Sequence, residues 1–189
     1  MSDLIKTKSK MVNHNVNHKT TELINSLKNK EKIRILFVCL GNICRSPAAE
    51  GVMRALVEER GFAGEWIIDS AGTGGWHVGD LPDRRMRIAA RRRGLELDHI
   101  CRQVTQDDFR EFDIIVAMDE GNYRDLRALS PSDEGDRRIH RICEWFSPLT
   151  RSRYDYIPDP YYEGAEGFEL VLDLLSEACS NIIANPFNE

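Results

Sequence analysis

Residues 33–39, Ile-Arg-Ile-Leu-Phe-Val-Cys, form an almost unbroken apolar run rich in β-branched side chains, the pattern of a buried strand. Residues 66–70, 113–118 and 138–143 read as further strands. Between and after them the apolar positions take helical spacing, over 47–60, 82–93, 120–129 and 167–184. The last helix is the clearest, with Leu170, Val171, Leu174, Leu175, Ala178, Cys179, Ile182 and Ile183 on one stripe. Strands alternating with helices predict a four-stranded parallel sheet covered on both faces, a three-layer α/β architecture. No run is long and apolar enough to predict a membrane span, and no internal repeat is found.

Composition divides the chain. All seven lysines fall in residues 1–32, which carry three acids and no glycine, proline or aromatic residue, for a net charge of +4. The other 157 residues hold nineteen arginines against 28 acids, for −9. This change predicts an N-terminal extension over 1–32 and one domain over 33–189, long enough to bury its own core. Within the extension, Leu23, Ile24 and Leu27 predict a short helix from Thr20 to Lys30, and the polar stretch before it reads as mobile. So few positive charges give little affinity for nucleic acid. The five cysteines form no disulfide framework and no pair has metal-ligand spacing, so neither a metal nor another cofactor is expected. Arg91-Arg92-Arg93 reads as a solvated helix end as readily as a docking point for acidic partners.

One junction carries the chemistry. Residues 38–47 read Val-Cys-Leu-Gly-Asn-Ile-Cys-Arg-Ser-Pro, directly after the first strand. Ser46-Pro47 reads as a helix start, a capping serine followed by proline at the first helical position. In a flavodoxin-like sheet this loop lies where the strand order reverses, and backbone N–H groups there converge on an anion. Cysteine, five residues, then arginine and serine is the arrangement a thiolate needs to attack a phosphate monoester. Loop amides, the helix N-terminus and the Arg45 guanidinium favour both the thiolate form of Cys39 and a bound phosphoryl group. Arg45 adds a planar fork for two phosphoryl oxygens, where the charge of a loose transition state lies. Gly41 is expected to admit a backbone conformation that a side chain would obstruct. The Ser46 hydroxyl is expected to bond the sulfur as it leaves. A nucleotide-binding loop is excluded, because no Gly-Lys-Ser/Thr follows the glycine.

This loop resembles that of the low-molecular-weight protein tyrosine phosphatases, and the likeness extends to the C-terminal helix. Asp69-Ser70-Ala71-Gly72-Thr73 with Trp76-His77-Val78-Gly79 resembles the family's second strand and the variable loop beside its active site. Ala117-Met118-Asp119 with Asn122 and Asp125-Leu126 resembles a later strand-to-helix junction. Ile157-Pro158-Asp159-Pro160-Tyr161-Tyr162 resembles the loop that supplies the general acid. The resemblance implies metal-independent hydrolysis of phosphotyrosine and small aryl phosphates through a cysteinyl-phosphate. Cys39 would be the nucleophile, Arg45 the phosphate clamp, and Asp159 the acid and then the base. Two prolines hold the backbone at Asp159 extended, which suits an aimed carboxyl.

Around the substrate the resemblance implies Leu40, Gly41, Asn42, Ile43, Cys44 and Ser46, with Trp76 and Tyr161 stacking on an aromatic leaving group. Asn42, Ser46, Ser70 and His99 resemble a network that fixes the loop by side-chain hydrogen bonds. Asp119 reads first as a helix cap, and no catalytic role is assigned to it. Cys101 stands where the family usually has alanine in His-x-Ala-Arg-Gln, and no functional gain is expected from it. Cys44 would trap an oxidised Cys39 as a disulfide. The reactive thiolate implies a reducing compartment and hence the cytoplasm, with phosphotyrosine proteins as partners. The sequence leaves oligomeric state, physiological substrate and phosphorylation of Tyr161 or Tyr162 open.

Two other chemistries share this fold. An arsenate reductase would need a closely spaced second cysteine pair in a mobile loop, whereas Cys101, Cys143 and Cys179 are far apart, and it would leave Asp159 unexplained. A protein-arginine phosphatase resembles this chain but carries threonine at the position of Ile43, able to orient the attacking water. Isoleucine narrows the pocket around a flat ring and favours phosphotyrosine.

Overall fold

The structure, a computed structural model, describes Leu27 and residues 30–187. Strands β1 (Ile33–Cys39), β2 (Trp66–Gly72), β3 (Ile114–Ala117) and β4 (Ile139–Arg141) form one sheet in the order β2-β1-β3-β4, every pair parallel. Four longer helices, α1 (Arg45–Glu59), α2 (Arg84–Arg92), α3 (Glu120–Leu129) and α4 (Ala165–Phe187), account for most of the helical residues among those described.

The layers follow from the two-residue period of β1. Ile33, Ile35, Phe37 and Cys39 face a core shared with Ala49, Val52 and Met53 of α1, Met86 and Ala90 of α2, and Val171, Leu175 and Ile182 of α4. Leu36 and Val38 face the other way, against Phe109, Ile115, Leu126 and Ile139. Both faces of the central strands are therefore buried, as the three-layer, flavodoxin-like expectation requires. The chain leaves β1 for β2 on one side and reaches β3 on the other, so the loop after β1 opens at the point of reversal.

Several boundaries differ by a few residues from the sequence reading, and two have a clear physical reason. Helix α1 begins at Arg45, ahead of the expected start, with Cys44 before its first turn and no side-chain cap. Pro47 still falls within that turn, where its missing N–H costs nothing. Strand β4 ends at Arg141, because Glu144 accepts from the Arg141 N–H (3.1 Å) and His140 Nδ1 lies 3.0 Å from its carboxylate, bending the chain into a 3₁₀ turn over Ile142–Trp145. Short helices at Asp108–Glu111, Asp133–Arg137 and Pro148–Arg151 escape periodicity analysis, being little more than one turn each.

Most of the expected extension, including nearly all of its helix from Thr20, lies outside the described residues. At its end Leu27 is helical and buried, and Lys30 Nζ pairs with Asp113 Oδ1 at 2.7 Å. Arg91 pairs with Glu96, and Arg93 with Glu169 and Asp173, so two arginines of the 91–93 cluster are spent on internal ion pairs. No helix among the described residues is long and apolar enough to cross a membrane. All five cysteines are free and buried.

Candidate active site

The loop between β1 and α1 is tied down from below. Thr73 N–H donates to the Cys39 carbonyl (2.9 Å) and Gly74 N–H to that of Leu40 (2.8 Å), so the end of β2 continues the ladder beneath it. The approach is close enough that a Cβ on Gly72 would lie 2.8 Å from the Leu40 oxygen, which requires glycine there. The strained residue of the loop is Asn42, with φ at 57°, and not Gly41 as the sequence reading has it. Asparagine is among the few side chains that tolerate this conformation. At Gly41 a Cβ would sit 3.3 Å from the His77 ring, a tight contact to which that side chain would have to yield.

Asn42 is held in place by both polar atoms of its side chain and by its carbonyl. Its Nδ2 donates to Ser46 Oγ and Ser70 Oγ (both 2.9 Å), while its Oδ1 accepts from Arg102 N–H and meets His99 Nε2 (both 2.9 Å). Its carbonyl accepts from the Cys101 thiol at 2.8 Å. Cys101 thus has a contact that the sequence reading did not foresee, and burial first, then the nearby Cys39, pushes its thiol up to about 11. Ser46 Oγ lies 3.0 Å from Cys39 Sγ and can also donate to the Ala71 carbonyl (3.2 Å). It therefore contacts the sulfur and is not the helix cap. The side chains of Asn42 and Ser46 therefore lie behind the loop, supporting it, and do not line the substrate cavity.

Behind them sits a group with no local sequence signature. His99 Nδ1 is 3.1 Å from Glu50 Oε2 and 3.6 Å from Asp69 Oδ1. Its two ring nitrogens thus face Asn42 on one side and the carboxylates of Glu50 and Asp69 on the other. Burial pushes the Glu50 carboxyl up, but hydrogen bonds from His99 and Ser70 and the charges of His99 and Arg54 outweigh it and hold it below the usual carboxylate range. Glu50, Asp69 and His99 offer ligand atoms within 4.8 Å of one another, yet Ser70, Arg54 and Arg102 already donate to those carboxylates. The cluster is an ion-pair network that fixes Asn42.

Above the loop is a cavity of about 290 Å³ lined by Cys39, Leu40, Gly41, Ile43, Cys44 and Arg45, and by Trp76, His77, Asp159, Tyr161 and Tyr162. Arg45 is itself buried and directed from three sides. Nη1 bonds Asp119 Oδ2 (2.5 Å) and the Ile157 carbonyl (3.3 Å), and Nη2 bonds Asp159 Oδ2 (2.9 Å). Asp119 does cap α3, accepting from Asn122 N–H at 2.7 Å, but its other oxygen orients Arg45, a role the sequence reading missed. Trp76 and Tyr162 stand as exposed walls (73% and 93% exposed), with Tyr161 packed edge-on against Tyr162 at 5.0 Å. Burial and the negative charges of Asp83, Cys39 and Asp159 push the Cys44 thiol far up, so it stays a neutral wall of the cavity. The nucleophile, clamp and acid named from sequence thus meet at one cavity, with Ser70 and His99 in the supporting layer.

The low molecular weight phosphotyrosine protein phosphatase family model matches residues 34–187, and the chain belongs to that family. A putative low molecular weight protein-tyrosine-phosphatase of Synechocystis is 44% identical over 81% of this chain and 96% of its own length. The crystal structure of a protein tyrosine phosphatase from Entamoeba histolytica, with Hepes in its active site, superposes with a TM-score of 0.76 at 41% identity, covering 80% of this chain and 95% of that one. A Drosophila arginine phosphatase also gives 0.76, at 31% identity over 83% and 99% of the two chains.

Proposed function

We propose that this phosphatase hydrolyses phosphotyrosine on protein substrates in the cytoplasm, with Cys39, Arg45 and Asp159 as its working groups. The observation that carries this reading is their convergence on one aromatic-walled cavity from segments more than a hundred residues apart in the chain. The Cys39 sulfur attacks phosphorus in line while the bond to the phenolic oxygen breaks, and Asp159 gives that oxygen its proton. A water then attacks the cysteinyl-phosphate, Asp159 takes its proton, and inorganic phosphate leaves as the thiolate re-forms. Arg45, fixed by Asp119, holds phosphoryl oxygens with the remaining edge of its fork. Ser46 Oγ, at 3.0 Å, steadies the sulfur as leaving group.

Residues 33–189 form the catalytic domain in this reading, a boundary that the family match from residue 34 supports. The burial of Leu27 argues that the last residues of the extension pack on it. Initial rates on matched phosphotyrosine and phosphoarginine peptides, with a chelator present, test the substrate. Preference for phosphotyrosine is expected, from the Ile43 side chain in the cavity wall and the three aromatic residues around it. Preference for phosphoarginine, the chemistry in the name of the Drosophila neighbour, would keep the Cys39 route and overturn the substrate.

A further inference from the structure

The segment that carries Asp159 has few tethers. Residues 157–163 contain two prolines without an N–H and one 3₁₀ turn, Pro160–Tyr162. Among the described residues, two side chains from outside hydrogen-bond its backbone. One is Arg45, on the Ile157 carbonyl, and the other is Arg85, whose Nη1 donates to the Tyr161 carbonyl at 2.9 Å.

Arg85 is built in from the opposite side of the cavity. Asp83 N–H donates to the Ile43 carbonyl (2.8 Å), which anchors the start of α2 on the phosphate loop. The Asp83 carboxylate, as N-cap, accepts from Arg85 N–H (2.7 Å) and also takes the side-chain fork, Nε at 3.1 Å and Nη2 at 2.8 Å. These bonds from Arg85 hold the Asp83 carboxyl below its usual range. So aimed, the guanidinium lies over the rings of Tyr161 (5.2 Å) and Phe168 (5.0 Å), the latter a core residue of α4. A continuous path of bonds therefore runs from Ile43 through Asp83 and Arg85 to Tyr161, two residues beyond Asp159.

We propose that Arg85 is a positioning residue, a strut that sets the Asp159 carboxyl against the Cys39 sulfur by bracing the acid loop on the phosphate loop. The inference rests on the reading of Asp159 as general acid. Arg45 cannot serve this purpose alone, because its bond to the Asp159 carboxylate weakens when that carboxyl carries the proton meant for the leaving group. Arg85 stays outside the reacting atoms and donates to a backbone carbonyl, an acceptor unchanged when Asp159 gains or loses its proton.

The test compares R85A, R85K and D159N with the unaltered chain on p-nitrophenyl phosphate and phenyl phosphate, whose leaving groups differ in their need for a proton. R85A should lose about ten-fold more on phenyl phosphate than on p-nitrophenyl phosphate, the direction expected of D159N and smaller in size. R85K should fall between, since an ammonium reaches Asp83 without the fork. Should R85A melt below the assay temperature, the same selective loss in R85K carries the test. Equal loss on both substrates, or none, would overturn the strut and leave Arg85 a packing residue. If D159N itself shows no selective loss, the acid assignment fails and the inference with it. If D159N shows it and the Arg85 variants do not, only the inference falls.

Discussion

The two loops that meet at the cavity are held in opposite ways. The phosphate loop is rigid by burial: Asn42, Arg45 and Ser46 are at most 3% exposed, and the side chains of Asn42 and Ser46 are bonded within a layer that reaches Glu50 through Ser70. The acid loop stands in solvent, with the Asp159 side chain 45% exposed and Tyr162 almost fully so. The difference matches the tasks. Stabilising a phosphoryl transition state needs dipoles that do not reorganise, so that loop is fixed in advance. Delivering a proton, recovering one from water and releasing a phenol need access, so that loop is left at the surface and steered through a few contacts.

The sharpest way to break the comparison is at the sulfur. Cys39→Ser should lower phosphate release by about 10⁴-fold or more while tungstate still binds, because the loop amides and Arg45 remain. Residual turnover near the unaltered rate would refute the covalent route. On the solvent side, Asp159→Asn should cost roughly 10²-fold on phenyl phosphate and much less on p-nitrophenyl phosphate. Asn42→Ala probes the buried side without touching a reacting atom. Its loss leaves the hydrogen-bond groups of His99, Ser70 and Arg102 unmatched and should cost about 1–3 kcal/mol of stability, read from denaturant unfolding, with weaker oxyanion binding. A fully stable variant would mean that the network is ornamental.

The smallest effect is one of pH. Glu50 titrates lower in the folded chain than its ordinary 4.5, so its contribution to stability is complete above that value and is lost as pH falls through the folded one. The melting temperature should therefore drop on acidification below about pH 4.5, and Glu50→Gln should flatten the drop. An unchanged slope in that variant would assign acid sensitivity to other carboxylates.

The parts of this site that were legible in the sequence are those written contiguously. Cys39 to Ser46 is one string after one strand, and Asp159 stands in a contiguous Ile-Pro-Asp-Pro-Tyr-Tyr string whose meaning comes from its family resemblance. The strand and helix alternation gave the layers for the same reason, since amphipathic period is a local property. What stayed hidden is pairing across the chain. Nothing near Asp119 or Arg85 says that an arginine 74 residues away or a carbonyl 76 residues away is its partner. Ser46 misled for a related reason. A serine before proline is a helix cap in most contexts, but here its hydroxyl is taken by the sulfur and Asn42, and the helix starts one residue before it. Cys101 looked like a neutral replacement because a thiol donating to a loop carbonyl has no sequence pattern at all.

The lysine distribution has a practical consequence. From Ile33 onward the chain contains no primary amine on any side chain, and of the lysines before it Lys30 is engaged by Asp113. Acylating dyes, amine-directed cross-linkers and activated-ester resins will therefore attach only through the first 32 residues and the amino terminus. Immobilised this way, every molecule is tethered by the same end, with the walls of its cavity chemically untouched and free to meet a phosphorylated ligand.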